Sequence, residues 1–226
     1  MLRQAVPADL EGICALWQEA FEDSEQAVRF FFQSFPQCVS YVAEEDGKIV
    51  SMVHALPQVL SPDTPAAYIY AVATLRSCRG KGLCRKLMAF AEEDLKRRGF
   101  GCCVLRPGEQ SLFAFYRELG YHTAFTRRRT PFPGGTPITV SEYLARRAEL
   151  LREPHMVYDA QTLSYAQKVY GLTFYRTENG IAAASPDYTA EVLPQDLEGE
   201  RFAFGMVKQL SDKPSEITGF LGFALD

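Results

Sequence analysis

The chain has 226 residues, of which 47% are hydrophobic and 23% are charged, and its formal net charge is −4 at pH 7. This composition is enough to bury a hydrophobic core in one large domain or two small ones. The acidic balance argues against a protein whose main task is to bind nucleic acid, because such domains usually carry a basic excess.

The first 130 residues alternate between helical and strand periodicity. Apolar residues from Leu10 to Phe21 recur at helical spacing and predict an amphipathic helix that opens at Ala8, and a second helix is predicted at about 24–35. The other predicted elements are strands at 2–6, 39–43, 49–56, 67–75 and 102–105, helices at 82–98 and 109–119, and a strand that begins at Tyr121. This order predicts an α/β (α+β) fold with a mixed central sheet flanked by helices.

Proline and glycine are dense in segment 130–137, which predicts a linker. After it, Thr139 and Glu142 form a capping box at the start of a helix that runs to about Leu151, and Asp159 precedes another predicted helix at 160–170. Strands are predicted at 172–176, 181–184, 190–193, 202–207 and 218–225. We therefore predict a domain over 1–130 and a smaller α+β lobe over 137–226, and a diverged internal duplication stays open.

The segment 70–87 leads from a strand through a glycine-containing turn into a helix. The first helical N–H groups have no partner within a helix, and the helix dipole is positive at that end. Gly80 and Gly82 remove side chains that would keep an anion away from these amides. Basic residues surround the turn: Arg79, Lys81, Arg85 and Lys86. The segment predicts a phosphate site, and the alternative for the basic residues is a solvated helix face.

Two motifs resemble the GNAT superfamily of N-acetyltransferases. Arg79-Gly80-Lys81-Gly82-Leu83-Cys84 is similar to the R/Q-x-x-G-x-G/A motif of that family, and the segment from Tyr116 through Gly120 to Tyr121 is similar to its Y-x-x-x-G-F/Y ending. The resemblance covers about residues 1–128. It implies that residues 79–85 bind the pyrophosphate of acetyl-CoA. They are Arg79, Gly80, Lys81, Gly82, Leu83, Cys84 and Arg85.

The resemblance also implies roles for the preceding strand and for the tyrosine. The strand residues Ala71, Val72, Ala73 and Thr74 are expected to pair with the pantetheine arm, and Tyr116 to give a proton to the leaving thiolate. Two positions depart from the family pattern. Cys84 stands in place of Gly or Ala, and Glu109 stands where many members have Asn, seven residues before the tyrosine.

The implied function is transfer of an acetyl group from acetyl-CoA to the primary amine of a small molecule or peptide, by direct attack in a ternary complex. A covalent route through Cys78 or Cys84 is the runner-up mechanism, and neither has an evident histidine partner. Asp226 is a candidate base through a loose resemblance to Eis-type acetyltransferases, whose C-terminal carboxylate reaches the active site. The alternative is a terminal strand that only completes a sheet. A non-catalytic acyl-CoA sensor or an interaction module is the alternative function.

The six cysteines form no C-x-x-C pair, and the three histidines are widely spaced, so we expect free thiols and no metal site. The first residues lack the apolar core of a signal peptide, and no apolar run is long enough to cross a bilayer. We expect a cytoplasmic protein without membrane or nucleic-acid partners, either a monomer or a homodimer.

Overall fold

The computed structural model describes residues 1–152, 154–194, 200–211, 217 and 219–222. Two 3-10 helices lie at Pro7–Asp9 and Arg76–Cys78. The strands are β1 (Leu2–Gln4), β2 (Val39–Glu45), β3 (Lys48–Leu60), β4 (Thr64–Thr74), β5 (Cys102–Leu105), β6 (His122–Arg128), β7 (Thr136–Pro137), β8 (Met156–Val157), β9 (Thr173–Arg176), β10 (Ile181–Ala184), β11 (Thr189–Leu193) and β12 (Arg201–Gln209). The helices are α1 (Leu10–Phe21), α2 (Glu25–Ser34), α3 (Leu83–Arg97), α4 (Leu112–Glu118), α5 (Val140–Leu150) and α6 (Ala160–Tyr170).

The larger sheet has eight strands in the order β1-β2-β3-β4-β5-β12-β6, with β8 paired to β3. Its described strand pairs are antiparallel except β4 with β5, which are parallel. Cys102 packs in the core on the side of α1 and α2, and Cys103 packs in the core on the side of α3 and α4. The mixed sheet between helices confirms the predicted fold class.

The strand β12 occupies a place that its position in the sequence did not indicate. It falls in the range 137–226 assigned to the accessory lobe, yet it lies in the larger sheet between β5 and β6. Met206 pairs with Leu105 on one side, and Arg201 pairs with Arg128 on the other. A nonlocal pairing therefore places this strand in the larger sheet, and the domain boundary at residue 137 stays a prediction.

A second sheet, in the order β11-β10-β9-β7, forms most of the lobe together with α5 and α6. Thr136 pairs with Arg176, so the predicted linker ends two residues earlier, at Gly135. The capping box at Thr139 is confirmed, because its side chain accepts from the Glu142 amide and its own amide donates to the Glu142 carboxylate.

The lobe contains a buried ion pair. The Arg147 Nε lies 3.0 Å from Glu191 Oε2, and both side chains are almost fully buried. The Tyr143 hydroxyl also donates a hydrogen bond to Glu191. These contacts satisfy the buried charges, which would otherwise be costly.

The lobe shares one hydrophobic core with the α1–α2 face of the larger sheet. The Phe30 and Tyr165 rings stack with centroids 5.7 Å apart, and the Tyr70 and Tyr170 hydroxyl oxygens are 3.2 Å apart. Near the end of the chain, Gly219 and Phe220 form isolated parallel bridges to Phe125 and His155. Residues 218 and 223–225 of the strand predicted at 218–225 lie outside the described residues.

Several element bounds differ from the sequence predictions. The predicted strand at 49–56 continues to Leu60, and the helix predicted at 109–119 begins only at Leu112. The two-residue strand β8 is too short to leave a periodic pattern. Among the described residues, no helix combines the length and apolar character needed to cross a membrane.

Candidate active site

A β-bulge interrupts β4 at the predicted pantetheine strand. Met52 of β3 pairs with Ala73 and His54 pairs with Tyr70, so two residues of β4, Ala71 and Val72, face one residue of β3. Ala71 has a φ of +46°, which is uncommon for a residue with a side chain. A bulge bends the strand and redirects its amides away from the regular ladder.

The pairing of β4 with β5 ends at Tyr68, opposite Val104. Beyond this point, residues 69–74 of β4 have no strand partner on that side among the described residues. The sheet is therefore split between β4 and β5, and the unpaired backbone edge of β4 includes Ala71 to Thr74. An extended ligand arm can hydrogen-bond along such an edge.

The glycine turn follows directly after β4. Gly80 and Gly82 have φ values of +77° and +73°, and a Cβ placed on either would meet no atom within 4 Å. Gly82 is the N-cap of α3, and its carbonyl accepts from the Lys86 amide at 3.1 Å. The hydrogen bond from Lys86 is the first one within the helix, so the amides of residues 83–85 have no acceptor in the helix and point out of its N-terminus. This arrangement suits an anion.

The basic residues around the turn are not equivalent. Lys81 and Lys86 are exposed. The Arg79 Nε donates to the Thr74 carbonyl at 3.0 Å and fixes the turn to the end of β4. The Arg85 Nη2 lies 2.7 Å from Glu118 Oε2, which links the start of α3 to the end of α4. Part of the positive charge predicted for the anion site is thus balanced by Glu118.

Tyr116 lies on α4 and is 8% exposed. The ring makes edge contacts with Phe115 and Tyr121, with centroids 5.2 and 5.8 Å away. Burial raises the pKa of Tyr116, and the nearby Cys84 raises it further. The phenol therefore keeps its proton at neutral pH, which is the state that a proton donor needs.

A cleft of about 440 Å³ joins the bulge to Tyr116. Its lining includes Trp17, Tyr70, Ala71, Val72, Leu105 and Tyr116. The fold therefore brings the predicted pantetheine strand and the predicted proton donor to one opening.

Sequence reasoning missed the aromatic wall of this cleft. The Trp17 ring lies 5.8 Å from Tyr70 and 5.1 Å from His54, and Phe31 stacks on Tyr70 at 5.0 Å. In the sequence, Trp17 is recognisable only as one of several apolar residues that recur at helical spacing. Burial lowers the pKa of His54 to about 3, so this imidazole stays neutral, and its Nδ1 lies 2.8 Å from Ser40 Oγ.

The runner-up nucleophile Cys84 lacks thiolate character, because burial raises its pKa to about 11. The other candidate thiol, Cys78, has its Sγ 3.8 Å from the hydroxyl of its neighbour Ser77. Asp226 lies outside the described residues and stays a sequence-based hypothesis. No group of three or more metal-ligating side chains occurs in the described part of the chain.

The sequence model of a family described as acetyltransferase (GNAT) domain matches residues 1–124. N-alpha-acetyltransferase 30 of Schizosaccharomyces pombe is 28% identical over 50% of this chain and 77% of its own length. Beta-lysine N(6)-acetyltransferase of Methanosarcina mazei is 31% identical over 56% of this chain, and the match spans only 47% of that relative.

The fold is also similar to solved structures over nearly the whole chain. The GCN5-related N-acetyltransferase of Kribbella flavida superimposes with a TM-score of 0.66 at 16% identity, covering 93% of this chain and 72% of that one. At this identity the likeness concerns the fold, and it extends over the lobe as well as the larger sheet.

Proposed function

This chain belongs to the GNAT acetyltransferase family, and from that premise we propose that it acetylates a primary amine by direct attack on acetyl-CoA in a ternary complex. The observation that carries the proposal is that the unpaired edge of β4, through Ala71 and Val72, and the protonated phenol of Tyr116 line one cleft. The N-terminus of α3 at Gly82 follows the end of β4 by a short turn.

We expect acetyl-CoA to bind along the α3 N-terminus and the unpaired edge of β4. The amides of residues 80–85 bind the pyrophosphate, since two glycines with open space around them allow close approach. The edge at residues 71–74 binds the pantetheine arm by main-chain hydrogen bonds, which leads the thioester toward Tyr116. Cys84 is small and half-buried, so it leaves the approach to these amides open.

The reaction forms one C–N bond and breaks one C–S bond. The neutral amine attacks the thioester carbonyl, and the amides at Val72–Thr74 stabilise the negative charge that develops on its oxygen. As the C–S bond breaks, Tyr116 donates its proton to the sulfur. The proton that the nitrogen loses passes to water and restores the phenol, so the products are the amide and free coenzyme A. A primary amine acceptor agrees with the relatives, whose names specify an N-alpha and an N(6) amino group.

Replacement of Tyr116 by Phe tests the proposal. The change keeps the ring and its edge contacts, so kcat should fall about 10²–10⁴-fold while the affinity for acetyl-CoA stays near that of the parent. Single-turnover acetylation of an amine panel, followed by thiol release, measures the chemical step directly.

Tyr121→Phe is the matched control. It also removes a phenol hydroxyl, which donates to Glu92 at 2.9 Å and does not line the cleft. This variant should lose stability and keep its rate. An unchanged single-turnover rate in Tyr116→Phe would remove the proton-donor role. Tight acetyl-CoA binding by the parent with no turnover on any amine would favour the acyl-CoA sensor.

A further inference from the structure

Asp23 is held at the mouth of the cleft by two helix ends. Glu22 closes α1 in the left-handed conformation, with φ +63°, and Ser24 caps α2 by accepting from the Ala27 amide at 3.2 Å. Asp23 is the residue between these two caps, so its backbone has little freedom. Its side chain lines the cleft that Tyr116 also lines.

The carboxylate of Asp23 faces an aromatic wall. The Trp17 Nε1 donates to Asp23 Oδ2 at 2.8 Å, which orients the carboxylate. No residue in the described part of the chain donates to Oδ1. The Phe21 and Tyr70 rings lie 6.0 and 5.8 Å from the Trp17 ring. Phe21 is exposed and Tyr70 is half-buried, so these two rings and the carboxylate can receive an organic cation, since both attract positive charge.

The electrostatics of the cleft agree with this geometry. Burial raises the pKa of Tyr70, the hydrogen bond with Tyr170 lowers it, and the negative charge of Asp23 raises it again. Among the described lining residues, Asp23 is the acidic one. Arg106 also lines the cleft, but its guanidinium lies over the Phe204 ring, with its carbon 5.2 Å from the ring centre.

The two ends of the cleft differ in exposure. Asp23 is exposed, whereas Tyr116 is 8% exposed beside the bulge where the thioester is proposed to lie. A molecule that reaches from Tyr116 to Asp23 therefore has its reacting amine inside and a second group at the mouth.

We propose that Asp23 binds a second cationic group of the acceptor, so that the substrate is a diamine or a similar primary amine with a distant positive charge. The proposal rests on the proposed acetyl transfer for the reacting end of the molecule. The cation site itself requires only the carboxylate, which the Trp17 indole orients, and the rings of Phe21 and Tyr70.

The test compares 1,6-diaminohexane with 6-aminohexan-1-ol, which has the same reacting amine and a neutral far end. In the full chain, Asp23→Asn keeps an oxygen acceptor for the Trp17 indole and removes the charge. We expect KM for the diamine to rise about tenfold or more, the effect of losing a charge-assisted hydrogen bond. KM for acetyl-CoA and kcat/KM for the amino alcohol should stay within twofold of the parent.

Glu22→Gln is the control, because it removes an adjacent exposed charge that does not line the cleft. Trp17 is the single tryptophan of the chain, so its fluorescence reports diamine binding beside Asp23 without any turnover. The dissociation constant for the diamine should rise about tenfold in Asp23→Asn and remain unchanged in Glu22→Gln.

The two readouts separate the cation site from the proposed function. Asp23-dependent fluorescence binding without acetylation of any amine would support the cation site and overturn acetyl transfer. If Asp23→Asn acetylates the diamine with the same KM and dissociation constant as the parent, the cation site is overturned and the transfer is supported. An equal loss of kcat/KM for both amines would also overturn it, because Asp23 would then act on the reacting amine or on the shape of the cleft.

Discussion

Replacement of Gly82 by Val probes the anion site at the start of α3. Gly82 has a φ of +73°, a conformation that costs a residue with a Cβ about 1–2 kcal/mol. A Cβ at this position would meet no protein atom within 4 Å, so backbone strain is the main cost to the free protein. In the complex the valine would stand beside the amides of residues 83–85, where we place the pyrophosphate.

The two effects have different magnitudes and can be measured separately. The free energy of unfolding should fall by about 1–2 kcal/mol from strain alone. The affinity for coenzyme A should fall by about 2 kcal/mol or more, which corresponds to roughly thirtyfold in the dissociation constant, because charge-assisted hydrogen bonds are lost. Urea unfolding and titration calorimetry with coenzyme A give the two quantities.

Gly47→Val is the matched control for strain. Gly47 has a φ of +75° in the β2–β3 hairpin turn, and a Cβ there also meets nothing within 4 Å. It should show the same loss of stability and unchanged binding. If the folded Gly82→Val variant binds coenzyme A as the parent does, the assignment of the phosphate site to this turn is refuted.

Two further predictions concern stability. A chain that ends at Arg129 lacks β12, the strand between β5 and β6, and should be unfolded or insoluble; a soluble form with the parent's circular dichroism would contradict the assigned sheet order. The second prediction is a dependence on pH. Hydrogen bonds from the Arg3 guanidinium to Asp9, at 2.6 and 2.7 Å, hold the pKa of that carboxyl below its ordinary value of 3.8. The stability this contributes is present above pH 3.8 and is lost as the pH falls through the lowered folded value. The free energy of unfolding, measured with urea, should therefore fall less between pH 7 and the acid range in Asp9→Asn than in the parent. The exposed control Glu45→Gln should lose as much as the parent. An equal loss in Asp9→Asn would remove Asp9 as the cause.

Hydrophobic periodicity and capping residues in the sequence predicted the elements whose stabilising contacts are close in sequence. The helix at 160–170 and the strands at 102–105 and 181–184 have the bounds that periodicity indicated. The cap at Thr139 is confirmed because its partner is three residues away. The glycine turn before α3 was also visible, since its chemistry lies within one short segment.

The parts that were missed depend on contacts between distant residues. The run from Tyr70 to Val72 reads as a continuous strand, and only its pairing with β3 shows the bulge at Ala71. Asp23 reads as a polar residue between two helices, and its place in the cleft follows from the packing of Trp17 against Tyr70.

The insertion of the lobe between β6 and β12 has a consequence for the order of folding during synthesis. β5 and β12 are neighbours in the sheet, although about one hundred residues separate them along the chain. A nascent chain that has reached β6 can form the hairpins β2–β3 and β3–β4, but the far edge of β5 has no partner until the whole lobe has left the ribosome. We expect a long-lived partly folded state with an exposed apolar strand at this stage, and therefore a dependence on chaperones that hold such edges apart.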